Sequence, residues 1–278
     1  MKFLAKNYIK TGIYFCIGFL FLSFQASAEL LEKGKLSIGS DLTYPPYAYM
    51  NDNKPAGFDV EFSQLLAKQM ELQPNFVDTR FSSLITGIRS FKFDIIASAM
   101  FISEERSKVL DFIPYIKTGN SMMVLKGSSF QPETENDLCG KTIGSIRGGA
   151  WVPSLRALST SYCSKNGKAQ LTVNEYDTDP QVTQALRSGT IDVQMSDASV
   201  IASVMERFPG QFQVTSHELI YPVLIGIGVG KNNKDISKQI SQAFEAIRQD
   251  GSYAKLLEKY HFFAPDQNDI DAAINKLK

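Results

Sequence analysis

A carboxylate and an aromatic ring follow the first strand that the sequence predicts. Residues 35–39 form a short, mostly apolar run, and Asp41 and Tyr44 come next, ahead of a pair of prolines. Open α/β sheets bind small molecules outside the carboxyl ends of their strands. The spacing therefore places an acid and a ring where a small ligand is expected.

Two more groups that could bind ions stand at predicted helix starts. Gly148 and Gly149 precede a helix, and the free N–H groups of a helix N-terminus attract anions. A Gly-Gly pair alone is a weak signal. Asp197 follows a predicted strand and begins the next helix, where it reads as an N-cap.

The elements that must position these residues alternate along the chain. Apolar periodicity predicts helices at 59–72, 81–90, 150–159, 179–188, 197–207, 236–249 and 252–260. Strands are predicted at 35–39, 75–78, 93–97, 121–125, 141–146, 170–174, 191–194 and 224–229. Such alternation favours mostly parallel sheets with helices on both faces.

The alternation divides into two series, which predict two lobes. We expect the chain to cross between them near residues 117–120 and 220–222. Lobe 1 would then hold residues 29–118 plus 223–278, and lobe 2 residues 119–222. Two crossings make a hinge, and the cleft between the lobes is the natural place for a small molecule.

The first 28 residues have the features of a cleaved export signal. Three lysines precede a twelve-residue apolar run at 13–24, and Ala26-Ser27-Ala28 fits a cleavage site. Twelve residues are too few to span about 30 Å of hydrocarbon. Cys16 follows Phe15, which disfavours a lipoprotein signal. We expect the chain to be exported from the cytosol.

The net charge of the chain bears on the kind of partner that it can bind. Removing residues 1–28 takes away three lysines and no acid, so the net charge changes from 0 to −3. This balance favours neither nucleic acid nor an anionic membrane surface as a partner.

Cleavage would leave two cysteines, Cys139 and Cys163. An oxidising compartment favours a disulfide between them. Each cysteine precedes a predicted strand of one strand–helix–strand unit, which would bring them to the same edge. Two free buried thiols are the alternative.

Three segments carry a resemblance to a known family. They are the run from Leu36 to Tyr47 with Gly57-Phe58-Asp59-Val60, the stretch from Asp94 to Tyr115 around Ser103-Glu104-Glu105-Arg106, and Asp250-Gly251-Ser252-Tyr253 near the C-terminus. The chain resembles the periplasmic amino-acid-binding proteins of ABC importers, solute-binding family 3. The resemblance implies the type II periplasmic-binding-protein fold, an α/β fold of two lobes with a two-strand hinge.

The resemblance also implies a set of ligand-binding residues. Arg106 would hold the ligand carboxylate in a bidentate fork, although its position alone also fits a solvated helix residue. Asp197 would bind the ammonium while still capping its helix, and the Ala150 amide would give a second bond to the carboxylate. The pocket would be completed by Asp41, Tyr44, Phe81, Ala99, Phe101 and Ile146.

Two of these positions depart from the family pattern. Phe101 stands where a hydroxyl is usual and Ala99 where Gly or Ser is usual, and a bulky ring at position 101 would reshape the pocket. Trp151 fits either the cleft or the core. With Asp41 at the side-chain end of the pocket, we expect a cationic or polar uncharged amino acid.

Function follows from the same resemblance. We expect a monomeric binding protein that delivers its ligand to a membrane permease and uses no metal or cofactor. One alternative is an enzyme, because periplasmic cyclohexadienyl or arogenate dehydratases resemble these binders. The other is a ligand-sensing subunit.

Overall fold

The computed structural model describes residues 30–276, so the predicted export signal lies outside the described residues. No helix among residues 30–276 combines the length and the apolar character that a membrane span requires. The strands are β1 Lys35–Ser40, β2 Thr43–Tyr44, β3 Ala48–Asn51, β4 Lys54–Ala56, β5 Gln73–Asp78, β6 Ile95–Ile96, β7 Leu110–Leu125, β8 Thr142–Ile146, β9 Thr172–Tyr176, β10 Val193–Asp197, β11 Phe212–Val214 and β12 Ile220–Gly230. The helices are α1 Phe58–Gln69, α2 Leu84–Arg89, α3 Glu104–Ser107, α4 Val152–Leu158, α5 Asp179–Arg187, α6 Ala198–Arg207, α7 Lys234–Gln249, α8 Ser252–Tyr260 and α9 Gln267–Lys276.

Most strands join one sheet that runs through both halves of the molecule. Its order is β5-β1-β6-β12-β7-β10-β8-β9, and β11 also pairs with β7. The outer strands pair in parallel, β5-β1-β6 on one side and β10-β8-β9 on the other. The long strands β7 and β12 pair antiparallel between them, from Leu110 opposite Gly230 to Asn120 opposite Ile220. These two strands connect the halves.

The seven predicted helices are confirmed to within three residues at each end, with the helix at 81–90 beginning as a 3-10 turn. The strands predicted at 121–125 and 224–229 prove to be parts of the longer β7 and β12. The sequence reading missed α3, α9, β11 and the small sheet β2-β3-β4.

The small sheet packs on the start of α1. The backbone N–H groups of Phe58 and Asp59 donate to the carbonyls of Pro46 and Tyr47, at 3.0 and 2.8 Å. Gly57 makes this approach possible, since it has φ 111° and a Cβ there would lie 2.4 Å from the Tyr47 carbonyl oxygen. Gly57 thus allows the backbone of Tyr47 to bind the start of α1, which holds Tyr47 beside the cleft.

The predicted disulfide is present. Cys139 and Cys163 are bonded, with their Cα atoms 5.5 Å apart. Cys139 comes just before β8, and β8 pairs in parallel with β9, as expected from the strand–helix–strand unit. Cys163 ends a helical turn that continues α4.

Candidate functional site

A small cavity brings most of the predicted site residues together. It lies where residues of the two halves meet. Eight residues line it: Tyr44, Phe81, Ala99, Phe101, Arg106, Ile146, Ala150 and Trp151. The sequence predicts seven of these as site residues, and the eighth is Trp151, whose position in the sequence fits either the cleft or the core.

Arg106 brings a buried positive charge to this cavity. Its side chain donates to the carbonyl oxygen of Phe101 at 2.7 Å and, across the cleft, to that of Gly148 at 2.9 Å. The guanidinium carbon lies 5.3 Å from the centre of the Phe81 ring. Burial lowers the pKa of Arg106 to about 10, and within residues 30–276 no acidic side chain forms an ion pair with it.

Local structure holds the lining segment around Ala99 and Arg106. The Ser103 hydroxyl caps α3 by accepting from the Arg106 N–H at 3.3 Å. Ala99 adopts φ 44°, and its N–H donates to the Asp59 carboxylate at 2.6 Å. Asp59 also accepts from the Tyr115 hydroxyl at 2.6 Å. A carboxylate at the start of α1 therefore fixes the backbone on which the cavity is built.

The structure places Asp41 apart from the other predicted pocket residues. This residue is fully buried but lies outside the cavity lining. Its carboxylate pairs with Arg80 at 2.8 Å and accepts from the Phe81 N–H at 2.8 Å and the Thr43 hydroxyl at 2.6 Å. Because Arg80 compensates the charge, Asp41 does not supply the free carboxylate on which the expectation of a cationic ligand rested.

Asp197 also lies outside the lining, at the junction of the two halves. It caps α6 as predicted, accepting from the N–H groups of Ser199 and Val200 at 2.8 and 3.4 Å. The Tyr47 hydroxyl donates to its Oδ1 at 3.0 Å, and the Thr118 hydroxyl donates to its Oδ2 at 2.7 Å. Burial raises the pKa of this carboxyl above its usual range.

A second polar link crosses the cleft beside the first. The hydroxyls of Tyr44 and Ser196 lie 3.2 Å apart, and Ser196 donates to the Asp179 carboxylate at 2.8 Å. Burial raises the pKa of Asp179 to about 6. Tyr44 thus lines the cavity with its ring while its hydroxyl touches the opposite half.

Trp151 closes one wall of the cavity. Its ring centre lies 5.4 Å from that of Phe101, and its buried indole N–H has no hydrogen-bond partner among residues 30–276. Gly149 makes room for the indole, because a Cβ there would lie 2.9 Å from the ring. The sequence predicts an anion site at the Gly-Gly pair, and in the structure Gly149 also leaves space for the indole of Trp151.

Comparison with known proteins places this geometry in a family. The model of the bacterial extracellular solute-binding proteins, family 3, matches residues 36–263. The chain belongs to this family. The L-cystine-binding protein TcyJ of Escherichia coli K12 is 30% identical over 234 residues, 84% of each chain. The histidine-binding periplasmic protein of Salmonella typhimurium is 27% identical over 238 residues, 82% of this chain and 88% of that one.

A solved structure agrees with the fold. An ancestral arginine-binding protein bound to arginine superposes with a TM-score of 0.75 and 28% identity, over 82% of this chain and 98% of that chain. The two-lobed α/β architecture expected from the sequence is therefore confirmed. The family match ends at residue 263, so α9 lies beyond it.

Proposed function

We propose that this family 3 protein captures an amino acid between its two lobes and delivers it to the permease of an ABC importer. The observation that carries the proposal is the environment of Arg106. Its guanidinium is buried at the cavity and bonded to two backbone carbonyls, without an acidic partner among residues 30–276. Removing a cation from water costs several kcal/mol unless an anion compensates it. A ligand carboxylate would supply that anion in the bidentate geometry that guanidinium favours.

Asp197 is the second pole of the proposed site. It is fully buried, and its Oδ2 accepts one hydrogen bond, from Thr118, so that oxygen has room for another donor. Arg106 lies in lobe 1 and Asp197 in lobe 2 by the proposed boundaries. A zwitterion that bridged them would draw the two lobes together.

The proposed hinge is the pair of long strands. We keep the lobe boundaries at residues 118 and 222, where β7 and β12 pair beside Asn120 and Ile220. Rotation there would open the cleft, and ligand would favour closure because it binds both sides. The closed monomer, outside the cytoplasm, would then dock on the permease.

Binding is favoured over catalysis by the chemistry of the lining. Among the eight lining residues the ionisable side chains are Arg106 and Tyr44. Burial raises the pKa of Tyr44 well above its usual range. General acid–base catalysis works best with a group whose pKa lies near the working pH, and neither residue offers one.

A thermal-shift screen of the exported protein against the twenty common amino acids tests the proposal. A ligand present at 100 times its dissociation constant should stabilise the fold by about 2.7 kcal/mol. We expect at least one amino acid to raise the melting temperature, and its analogue with an esterified carboxyl to have no effect. A screen in which no amino acid stabilises the protein would contradict the proposal.

A further inference from the structure

The cavity lining contains no negative charge. Aromatic rings make up half of it, contributed by Tyr44, Phe81, Phe101 and Trp151. The other uncharged members are Ile146, Ala99 and Ala150, and the one charged side chain of the eight is Arg106. A ligand side chain in this cavity would meet apolar surface and a guanidinium.

Two acids that touch the lining segments form ion pairs elsewhere, and a third, Asp59, accepts hydrogen bonds from the Ala99 N–H and the Tyr115 hydroxyl. Asp41 accepts from the Phe81 N–H but pairs with Arg80. Glu175 accepts from the Gly148 N–H at 3.1 Å but pairs with Arg156. Neither carboxylate is left to balance a cationic group on the ligand.

The cost of removing a ligand side chain from water therefore distinguishes cationic from apolar ligands. A lysine or arginine side chain would lose its hydration beside Arg106 without gaining a counter-ion, which is strongly unfavourable. An apolar side chain would gain from the area that it buries against the rings. We infer that the site selects α-amino acids whose side chains are uncharged and largely apolar. This inference rests on the proposed function and names its ligand class.

Trp151 is the residue that we assign to this selection. Its indole packs against Phe101, in the same lining as Phe81, the ring that lies against the Arg106 guanidinium. Its indole N–H, which has no partner among residues 30–276, can also donate to one neutral acceptor on a ligand, such as a thioether or carbonyl. Removing the indole would open the wall and remove the apolar surface together.

Lysine and norleucine provide the most direct comparison, because both have an unbranched four-carbon side chain and lysine adds a terminal ammonium. We expect calorimetry on the exported protein to show norleucine binding at least tenfold more tightly than lysine. Phenylalanine and arginine form a second pair, in which phenylalanine should bind more tightly. If lysine or arginine bound most tightly, the inference would be overturned while the proposed function stood. Failure of every amino acid to bind would overturn the proposed function and the inference with it.

The role of Trp151 is tested separately with Trp151→Ala. We expect the affinity for norleucine to fall at least tenfold and the preference for norleucine over lysine to shrink. Phe91→Ala is the matched control, since Phe91 is an exposed aromatic away from the cavity, and it should change neither affinity. Circular dichroism would confirm that both variants are folded. An unchanged preference in folded Trp151→Ala would overturn the assignment of selectivity to the indole.

Discussion

Individual buried charges in the centre of this molecule are held by hydrogen-bond donors and acceptors more than by counter-ions. Asp59 receives a backbone N–H and a tyrosine hydroxyl, Asp197 receives four donors, and Arg106 donates to two carbonyls. Hydrogen bonds lower the cost of burying such groups but do not remove it. Burial is the common cause of the raised pKa values of Asp59 and Asp197 and of the lowered pKa of Arg106.

Asp59 should make an unusual contribution to the pH dependence of stability. Burial raises its pKa from 3.8 to about 6. Between these values the folded protein binds a proton that the unfolded chain releases, so this contribution is complete below pH 3.8 and is lost as the pH rises through about 6. We expect the free energy of unfolding of the parent, minus that of Asp59→Asn, to fall between pH 4 and pH 6 and to level off above.

Urea unfolding at several pH values measures this difference, and carbon NMR of the Asp59 carboxyl measures its pKa directly. Asp52→Asn, in an exposed turn, is the control and should leave the pH profile of the parent unchanged. An Asp59 carboxyl that titrates near 4 would contradict the structure of this site.

The sequence predicted which residues meet at the cavity better than it predicted their partners. Seven lining residues were predicted because each belongs to a motif that is local in the chain. The ion pair between Asp41 and Arg80, and the bond from Tyr47 to Asp197, join residues 39 and 150 positions apart. Local patterns contain no signal for such pairs, so the charge available to a ligand could not be read from them.

Helices and strands could also be predicted from the sequence only where the signal lies within the element itself. The helices were predictable because each has an apolar face and recognisable ends, such as the Asp197 cap of α6. The small sheet β2-β3-β4 was missed because its strands are only two to four residues long and begin beside two prolines. The length of β7 was missed because its interior contains Pro114 and Gly119, which are uncommon in strands.

The missed sheet carries a residue that links the lobes. Tyr47 follows β2, is fully buried, and donates across the cleft to Asp197 at 3.0 Å. A hydrogen bond to a charged group contributes about 1.5–3 kcal/mol. Tyr47→Phe keeps the ring, which stacks on Phe262 at 5.0 Å, and removes only this bond. We therefore expect a roughly tenfold loss of ligand affinity, mainly through faster dissociation from a less stable closed form.

Stopped-flow dissociation and calorimetry together measure that effect. Tyr49→Phe, at a half-buried position of the same small sheet, is the matched control and should leave the affinity within twofold of the parent. Unchanged dissociation from Tyr47→Phe would show that the hydroxyl does not stabilise the closed form.

At the scale of the whole molecule, the two halves meet through a few polar contacts around one buried cation. Tyr44 reaches Ser196, Tyr47 reaches Asp197, and Arg106 reaches Gly148. These contacts bring the halves together, but none of them neutralises Arg106. A ligand carboxylate would do so, which connects lobe closure with ligand capture in a single interaction.

Calorimetry of Arg106→Ala tests this account most directly. The ligand would be the amino acid that binds the parent most tightly, circular dichroism would confirm folding, and Arg89→Ala on α2 would be the control. Loss of a bidentate, charge-assisted pair predicts an affinity at least about 100-fold weaker for Arg106→Ala, with Arg89→Ala unchanged. Folded Arg106→Ala that bound within threefold of the parent would contradict the account.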